Sequence, residues 1–282
     1  MKNELPPIPE PLPRPVVDSH CHLDTAEEVV GHDPERALQQ AASVNITKVV
    51  QVGCDLAGSR WALQATDRFD QVVATVALHP NDAARMGDEL ADGLAEIESM
   101  LSTARREGND RLRGVGETGL DYFRTPDAAL QELQQKSFLT HIELAKAYDK
   151  TLVIHDRDAH DDIADLLDQA GWPDRVVFHC FSGDADFARR CLAHDAWLSF
   201  PGPVTYKANK HLREALVAAP LEKILTETDA PYLVPEPHRG LANASYLVPH
   251  TVRFIADTRG EDLDTVCDAL TGNAFDAFGG AW

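Results

Sequence analysis

Short apolar segments alternate with helix-periodic stretches along the whole chain, and this alternation constrains the fold more than any other feature. The strand candidates are Val16–His22, Ile46–Gly53, Val72–His79, Gly114–Tyr122, Thr151–Arg157, Arg175–Phe181, Ala196–Gly202 and Ile224–Ala230. Between them lie stretches such as Ala129–Asp149, where Leu130, Leu133, Phe138, Ile142 and Ala145 can share a helical face. Asp127 and Asp158 stand where caps would open the helices that follow their strands. Strands alternating with helices pair in parallel through βαβ units, and eight such units close into a barrel. The predicted fold is therefore α/β, a single-domain (β/α)8 TIM barrel over residues 16–282. No glycine-rich dinucleotide or Walker-type phosphate motif interrupts it. Residues 1–15, MKNELPPIPEPLPRP, are expected to form an extended, poorly ordered lead-in.

Polar residues at the strand ends support closure. An open doubly wound sheet gathers its site at one switch point. Here His20, His22, His79, Glu117, His155, His179 and Asp229 each fall at or near the end of a strand candidate, where barrels build their sites. His20 and His22 are two apart, so on a strand both imidazoles face one way and suit a single cation. Cys21 between them should face the helices. Glu117 lies beside the Gly119 turn, and its two oxygens can bridge two cations. Asp121 follows in the same turn and is placed to orient a ligand from behind. His155 and His179 end successive strands and pair as ligands of a second cation. Neutral imidazole is the binding form, so activity should fall at acid pH.

Asp229, before Pro231, is expected to serve as ligand and proton acceptor. Glu227, two residues earlier, can hold the attacking water or orient a ligand. His79, Arg157 and Arg239 are donors beside the site, and arginine is well shaped to grip phosphate oxygens. Two divalent cations at one site point to hydrolysis.

The formal net charge of −20 argues against a protein that coats nucleic acid through a basic stripe. It permits one anionic group at a cationic centre. Two divalent ions bring about four positive charges, and two carboxylates cancel about half of them. The five cysteines are scattered and fit no disulfide framework. No apolar run approaches the roughly 18 residues of a membrane span, and the first residues lack the apolar core of a secretory signal. A cytoplasmic protein without a membrane partner is expected.

The motifs DSHCHLD, ALHP, GETGLDYFR, VIHDRDA, FHCFSGD and TETDAPYLVP resemble, in order, those of the TatD-type metal-dependent deoxyribonucleases, within the amidohydrolase-like TIM barrels. The resemblance runs from Val17 to about Phe278. It implies a binuclear site, with His20, His22 and Asp229 on one metal, His155 and His179 on the other, and Glu117 bridging. His79, Arg157 and Glu227 match positions tied in the family to substrate or catalysis. The family's cations are magnesium, manganese or zinc, and four imidazoles favour zinc or manganese. One stretch departs from the pattern. After PHRG the run is LANAS, with uncharged Leu241 and Ala242 and with Ser245 where proline is usual. The departure removes positive charge from the loop after the last strand.

The expected function is metal-dependent hydrolysis, by a two-metal-activated hydroxide, of a phosphodiester in DNA or in a small phosphate ester. The alternative is hydrolysis of a small-molecule ester or amide, or of a misacylated aminoacyl-tRNA, since the same metals can polarise a carbonyl. A metal-binding scaffold with little catalysis is a third reading.

Overall fold

Eight parallel strands hydrogen-bond in chain order: β1 (Val16–Cys21), β2 (Ile46–Val52), β3 (Val72–Val76), β4 (Leu112–Asp121), β5 (Thr151–Arg157), β6 (Val176–Phe178), β7 (Trp197–Phe200) and β8 (Ile224–Thr226). The structure is a computed structural model and describes residues 4–282. The helices are α1 (Leu23–Val30), α2 (Pro34–Ser43), α3 (Leu56–Arg68), α4 (Pro80–Met86), α5 (Leu90–Glu107), α6 (Ala128–Tyr148), α7 (His160–Ala170), α8 (Ala185–Leu192), α9 (Lys210–Ala218), α10 (Val248–Arg259) and α11 (Leu263–Ala277). This is the (β/α)8 barrel. β1 and β8 meet at a Cys21–Ala230 bridge, where the Asp229 N–H donates to His20 O and the His22 N–H to Ala230 O, both at 2.9 Å. The buried Asp18 carboxylate reinforces this seam by accepting from the Thr228 N–H (2.9 Å) and hydroxyl (2.7 Å). Burial raises the Asp18 carboxyl to about 6, against the pull of those bonds.

Val17, Val50, Val73, Val153, Val177, Trp197 and Leu225 touch one another inside the ring, and Ala274, Ala277 and Phe278 close its lower end. Side chains alternate along a strand. The residues two beyond Val153, Val177 and Leu225 are His155, His179 and Glu227, so the apolar floor aims these three into the upper lumen. Gly119 (φ +142°) lets β4 approach β5, because a Cβ there would lie 2.0 Å from His155 O.

Several strands end earlier than expected. β6 stops at Phe178 and β8 at Thr226, so His179, Glu227 and Asp229 stand on the segments just beyond them. Cys180 (φ 43°) and Asp229 (φ 54°) leave the extended region and turn the chain across the barrel mouth. Asp127 caps α6, but Asp158 takes a left-handed conformation (φ 57°) and α7 begins after Ala159 without a side-chain cap. The buried face of α6 also differs: Leu130 is 40% exposed, while Gln134, Ser137 and His141 are buried. All five cysteines are free. Among the described residues no helix is long and apolar enough to cross a membrane.

Residues 4–15 of the lead-in pack against the barrel, contrary to expectation; residues 1–3 lie outside the described residues. Its prolines hold it extended, so its carbonyls are free to accept bonds from the barrel. Ala242 N–H donates to Glu4 O (2.9 Å), Tyr246 Oη to Pro6 O, and Arg253 to Glu10 O (3.1 Å) and Pro11 O (2.8 Å). Leu12 is 1% exposed and enters the main core with Val44 and Ile46. Leu12→Ala should therefore cost about 2–3 kcal/mol, read as a lower urea midpoint at unchanged slope. A midpoint equal to the wild type would mean that this segment contributes nothing to stability.

Candidate metal centre

Strand β1 supplies the first two side chains. His20 Nε2 and His22 Nε2 lie 3.3 Å apart, and His22 Nε2 lies 3.2 Å from Asp229 Oδ1. From β4, Glu117 Oε2 reaches within 3.4 Å of His20 Nε2 and 3.9 Å of His22 Nε2. Its other oxygen faces elsewhere: Glu117 Oε1 lies 2.7 Å from His155 Nδ1, 2.9 Å from His179 Nε2 and 3.6 Å from His79 Nε2. One carboxylate thus touches five imidazoles, two through Oε2 and three through Oε1, and the two sets adjoin where the His20 and His179 rings stack at 3.7 Å.

Ligand-spaced groups, with atoms all within 4.8 Å of one another, are His20, His22 and Glu117; His20, His179 and Asp229; and His79, Glu117 and His155. Zinc bonded at about 2.0–2.1 Å puts tetrahedral ligand atoms about 3.3 Å apart. Three spacings among His20, His22, Asp229 and Glu117 match at 3.2–3.4 Å, while His20–Asp229 (3.8 Å) and His22–Glu117 (3.9 Å) are wider. Two imidazole nitrogens facing each other at 3.3 Å need a shared proton or a cation between them. The donor set therefore fits divalent cations, and its mix of nitrogen and carboxylate oxygen suits zinc or manganese.

The charges interlock. Burial pushes the Glu117 carboxyl up, but the imidazoles of His179, His79 and His155 outweigh it and hold the group well below its usual range. Burial opposes protonation of His22, yet Asp229 and Glu117 lift it to about 9. His179 is also lifted, by Glu117 and Glu227 against its burial. His20 moves the other way, because burial and the neighbouring His179 both disfavour its charge.

Carboxylates stand behind two of the candidate ligands, His155 and His179. Asp121 Oδ2 lies 3.4 Å from His155 Nε2 and accepts from Asn81 Nδ2 at 3.0 Å. Glu227 was expected to hold water or orient a ligand. It is fully buried behind His179, with Oε1 3.1 Å from His179 Nδ1 and accepting the Cys180 N–H at 2.8 Å. Glu227→Gln should keep the fold and cost about 10–100-fold in metal affinity or turnover. Wild-type metal binding by this variant would show that the charge is dispensable.

His79 stands closer to the ligand set than a substrate residue need be. Its Nδ1 accepts the Asn81 N–H at 3.1 Å, which leaves the ring proton on Nε2, facing Glu117. Burial pushes the imidazole down to about 3, so it is a neutral donor. Arg157 lies over the Phe123 ring (3.9 Å) and Arg239 over Tyr206 (4.3 Å). Among the described residues neither guanidinium pairs with a carboxylate. Ala242–Ser245 are buried, so most of the LANAS run is packing rather than contact surface. Ala242 lies under the lead-in, and Asn243 Nδ2 donates to Thr228 O at 2.8 Å, next to Asp229.

Two contacts were not foreseen. Cys54 Sγ lies 3.4 Å from Glu117 Oε2 and 3.8 Å from His22 Nδ1. Asn81 links His79 to Asp121. Nothing in the sequence near Cys54 marks it; Asn81 follows the ALHP motif directly.

The sequence model of the family described as TatD related DNase matches residues 17–279. The chain belongs to this family. It is 40% identical over 271 residues to the uncharacterised metal-dependent hydrolase TatD of Mycobacterium tuberculosis, covering 95% of this chain and 99% of that one. It is 32% identical to the uncharacterised metal-dependent hydrolase YabD of Bacillus subtilis, over 91% of this chain and 96% of the relative. The crystal structure of the TatD homologue YjjV of Escherichia coli superposes with a TM-score of 0.84 at 26% identity, over 93% and 97% of the two chains. The protein is a metal-dependent hydrolase of the TatD family.

Proposed function

We propose that the protein hydrolyses phosphodiesters, of DNA or of a small phosphate ester, at a centre of two divalent cations. The observation that carries this is the division of Glu117, with Oε2 toward His20 and His22 and Oε1 toward His155 and His179. In this reading His20, His22 and Asp229 would hold one cation and His155 and His179 the other, with Glu117 placed to contribute to each. Bound there, the cations would supply Lewis acidity, polarising a substrate oxygen and making water nucleophilic at neutral pH.

The chain's own side chains do the rest. Asp229 Oδ1 accepts the proton of the attacking water; its side chain is 15% exposed, the most open of the two carboxylates at the centre. The His79 Nε2–H donates to a phosphoryl oxygen. The guanidiniums of Arg157 and Arg239, free of carboxylates, neutralise charge that builds on the phosphate. Glu227 keeps His179 in its orientation.

A second reading, hydrolysis of a carboxylic ester or amide including an aminoacyl-tRNA, has one observation in its favour. The cavity of about 340 Å³ beside His22 is lined by Asp24, Glu28 and Asp55, which would repel a further phosphate on that side.

Stripping the protein with a chelator and reloading it with zinc or manganese separates these readings. The expected result is cleavage of bis(p-nitrophenyl) phosphate and single-stranded DNA by the loaded protein alone. Equal turnover in stripped protein would sink the cation mechanism. Cleavage of acyl-tRNA or simple esters without any phosphodiester cleavage would transfer the assignment to the second reading.

A further inference from the structure

Helix α6 buries a polar stripe against the strands that carry the centre. Gln134, Ser137 and His141 are spaced i, i+3 and i+7 and share one helix face. Gln134 and His141 have no exposed surface. Burying an amide or imidazole is costly unless its polar atoms are paired, so apolar side chains would be the simpler filling. The partners explain the choice, because they are groups next to the centre's own residues.

His141 Nε2 accepts the N–H of Leu78 at 3.2 Å, and Leu78 precedes His79. His141 Nδ1 therefore carries the proton, and it lies 2.8 Å from Ser137 O and 3.1 Å from the hydroxyl of Thr118, the residue after Glu117. Burial pushes this imidazole down to about 4, which keeps it neutral and in one tautomer at physiological pH. Two turns earlier, Gln134 Oε1 accepts the N–H of Asp121 at 2.9 Å, and Nε2 donates to Thr125 Oγ1 at 2.9 Å. Thr125 in turn donates to Asn81 Oδ1 at 3.1 Å, and Asn81 Nδ2 donates to Asp121. One helix face thus grips the chain just past β3 and the upper half of β4.

We infer that His141 and Gln134 are positioning residues: from α6 they fix the segments that bring His79, Glu117 and the Asp121–His155 pair together. The inference rests on the cation-centre reading above. An imidazole that only filled the core would matter to stability but not to cation affinity, and this difference is measurable.

The test uses the full chain, stripped of metal, with zinc affinity read by competition against a chromophoric chelator and zinc content by mass spectrometry. His141→Leu keeps the volume and removes the acceptor of the Leu78 N–H. It should bind zinc about 10–100-fold more weakly and lose phosphodiester turnover in step. His141→Gln offers Oε1 where Nε2 stood and should restore both. If His141→Leu does not fold, Gln134→Met, which removes the acceptor of the Asp121 N–H, is judged by the same affinity. Wild-type affinity in a variant whose urea midpoint has fallen would overturn the inference and leave a purely structural role. The wild-type zinc stoichiometry decides the two-cation reading separately. The ratio of variant to wild-type affinity decides this one, whether one cation binds or two.

Discussion

Asp229→Asn is expected to lower kcat by about 10²–10⁴-fold while leaving the barrel folded. The substitution keeps the shape and the backbone turn, since Asn tolerates the left-handed conformation (φ 54°) that Asp229 adopts. It removes the charge that faces His22 Nε2 at 3.2 Å and His20 Nε2 at 3.8 Å. An amide cannot accept a proton from water at neutral pH. It is also a poor ligand, so part of the loss should appear as weaker metal binding. Raising the zinc or manganese concentration to saturation recovers that part and leaves the proton-transfer deficit. Turnover within tenfold of the wild type at saturating metal would remove Asp229 from the proposed mechanism.

Glu117→Gln should have the larger effect on metal content. The Glu117 oxygens lie within 3.9 Å of the imidazoles of His20, His22, His79, His155 and His179. Its two oxygens face different imidazoles, Oε2 those of His20 and His22 and Oε1 those of His79, His155 and His179. With an amide there, one contact to each imidazole set loses its charge, and a carboxylate bridge cannot form. The expected result is loss of at least one equivalent of metal by mass spectrometry. Phosphodiester turnover should fall by about 10³-fold or more, because activating the nucleophile and stabilising the phosphoryl charge both depend on the cations. A variant that retains two equivalents at wild-type affinity would show that Glu117 is no bridge. The His141 and Gln134 variants should lie between this result and the wild type, because they act through Glu117 and its neighbours without touching a cation.

Much of the architecture was legible before folding was considered. β5 has the predicted bounds, and the other strands lie within or close to theirs. The overshoot at β6 and β8 has one cause. The strand candidates extended through His179–Phe181 and Glu227–Ala230, but Cys180 and Asp229 adopt positive φ. Backbone turns of that kind depend on what lies across the lumen. Arg157 and Arg239 were expected as donors beside the site, and their stacking on Phe123 and Tyr206 depends on loops from other strands. The lead-in was misread because proline content reports stiffness and extension, and says nothing about whether the barrel offers donors such as Tyr246 Oη and Arg253 to its carbonyls. The LANAS run was read as a lost basic surface, but Ala242 is covered by that same lead-in.

The sequence by itself determined the barrel and the chemical identity of its candidate ligands. Strand and helix periodicities are local properties, and two histidines two residues apart face the same way on any strand. Only the tertiary structure decided which oxygen of Glu117 meets which imidazoles, that Glu227 stands behind His179, and that α6 turns Gln134 and His141 inward. These depend on distances between residues far apart in the chain, set when the barrel closes and its side chains compete for one small polar volume.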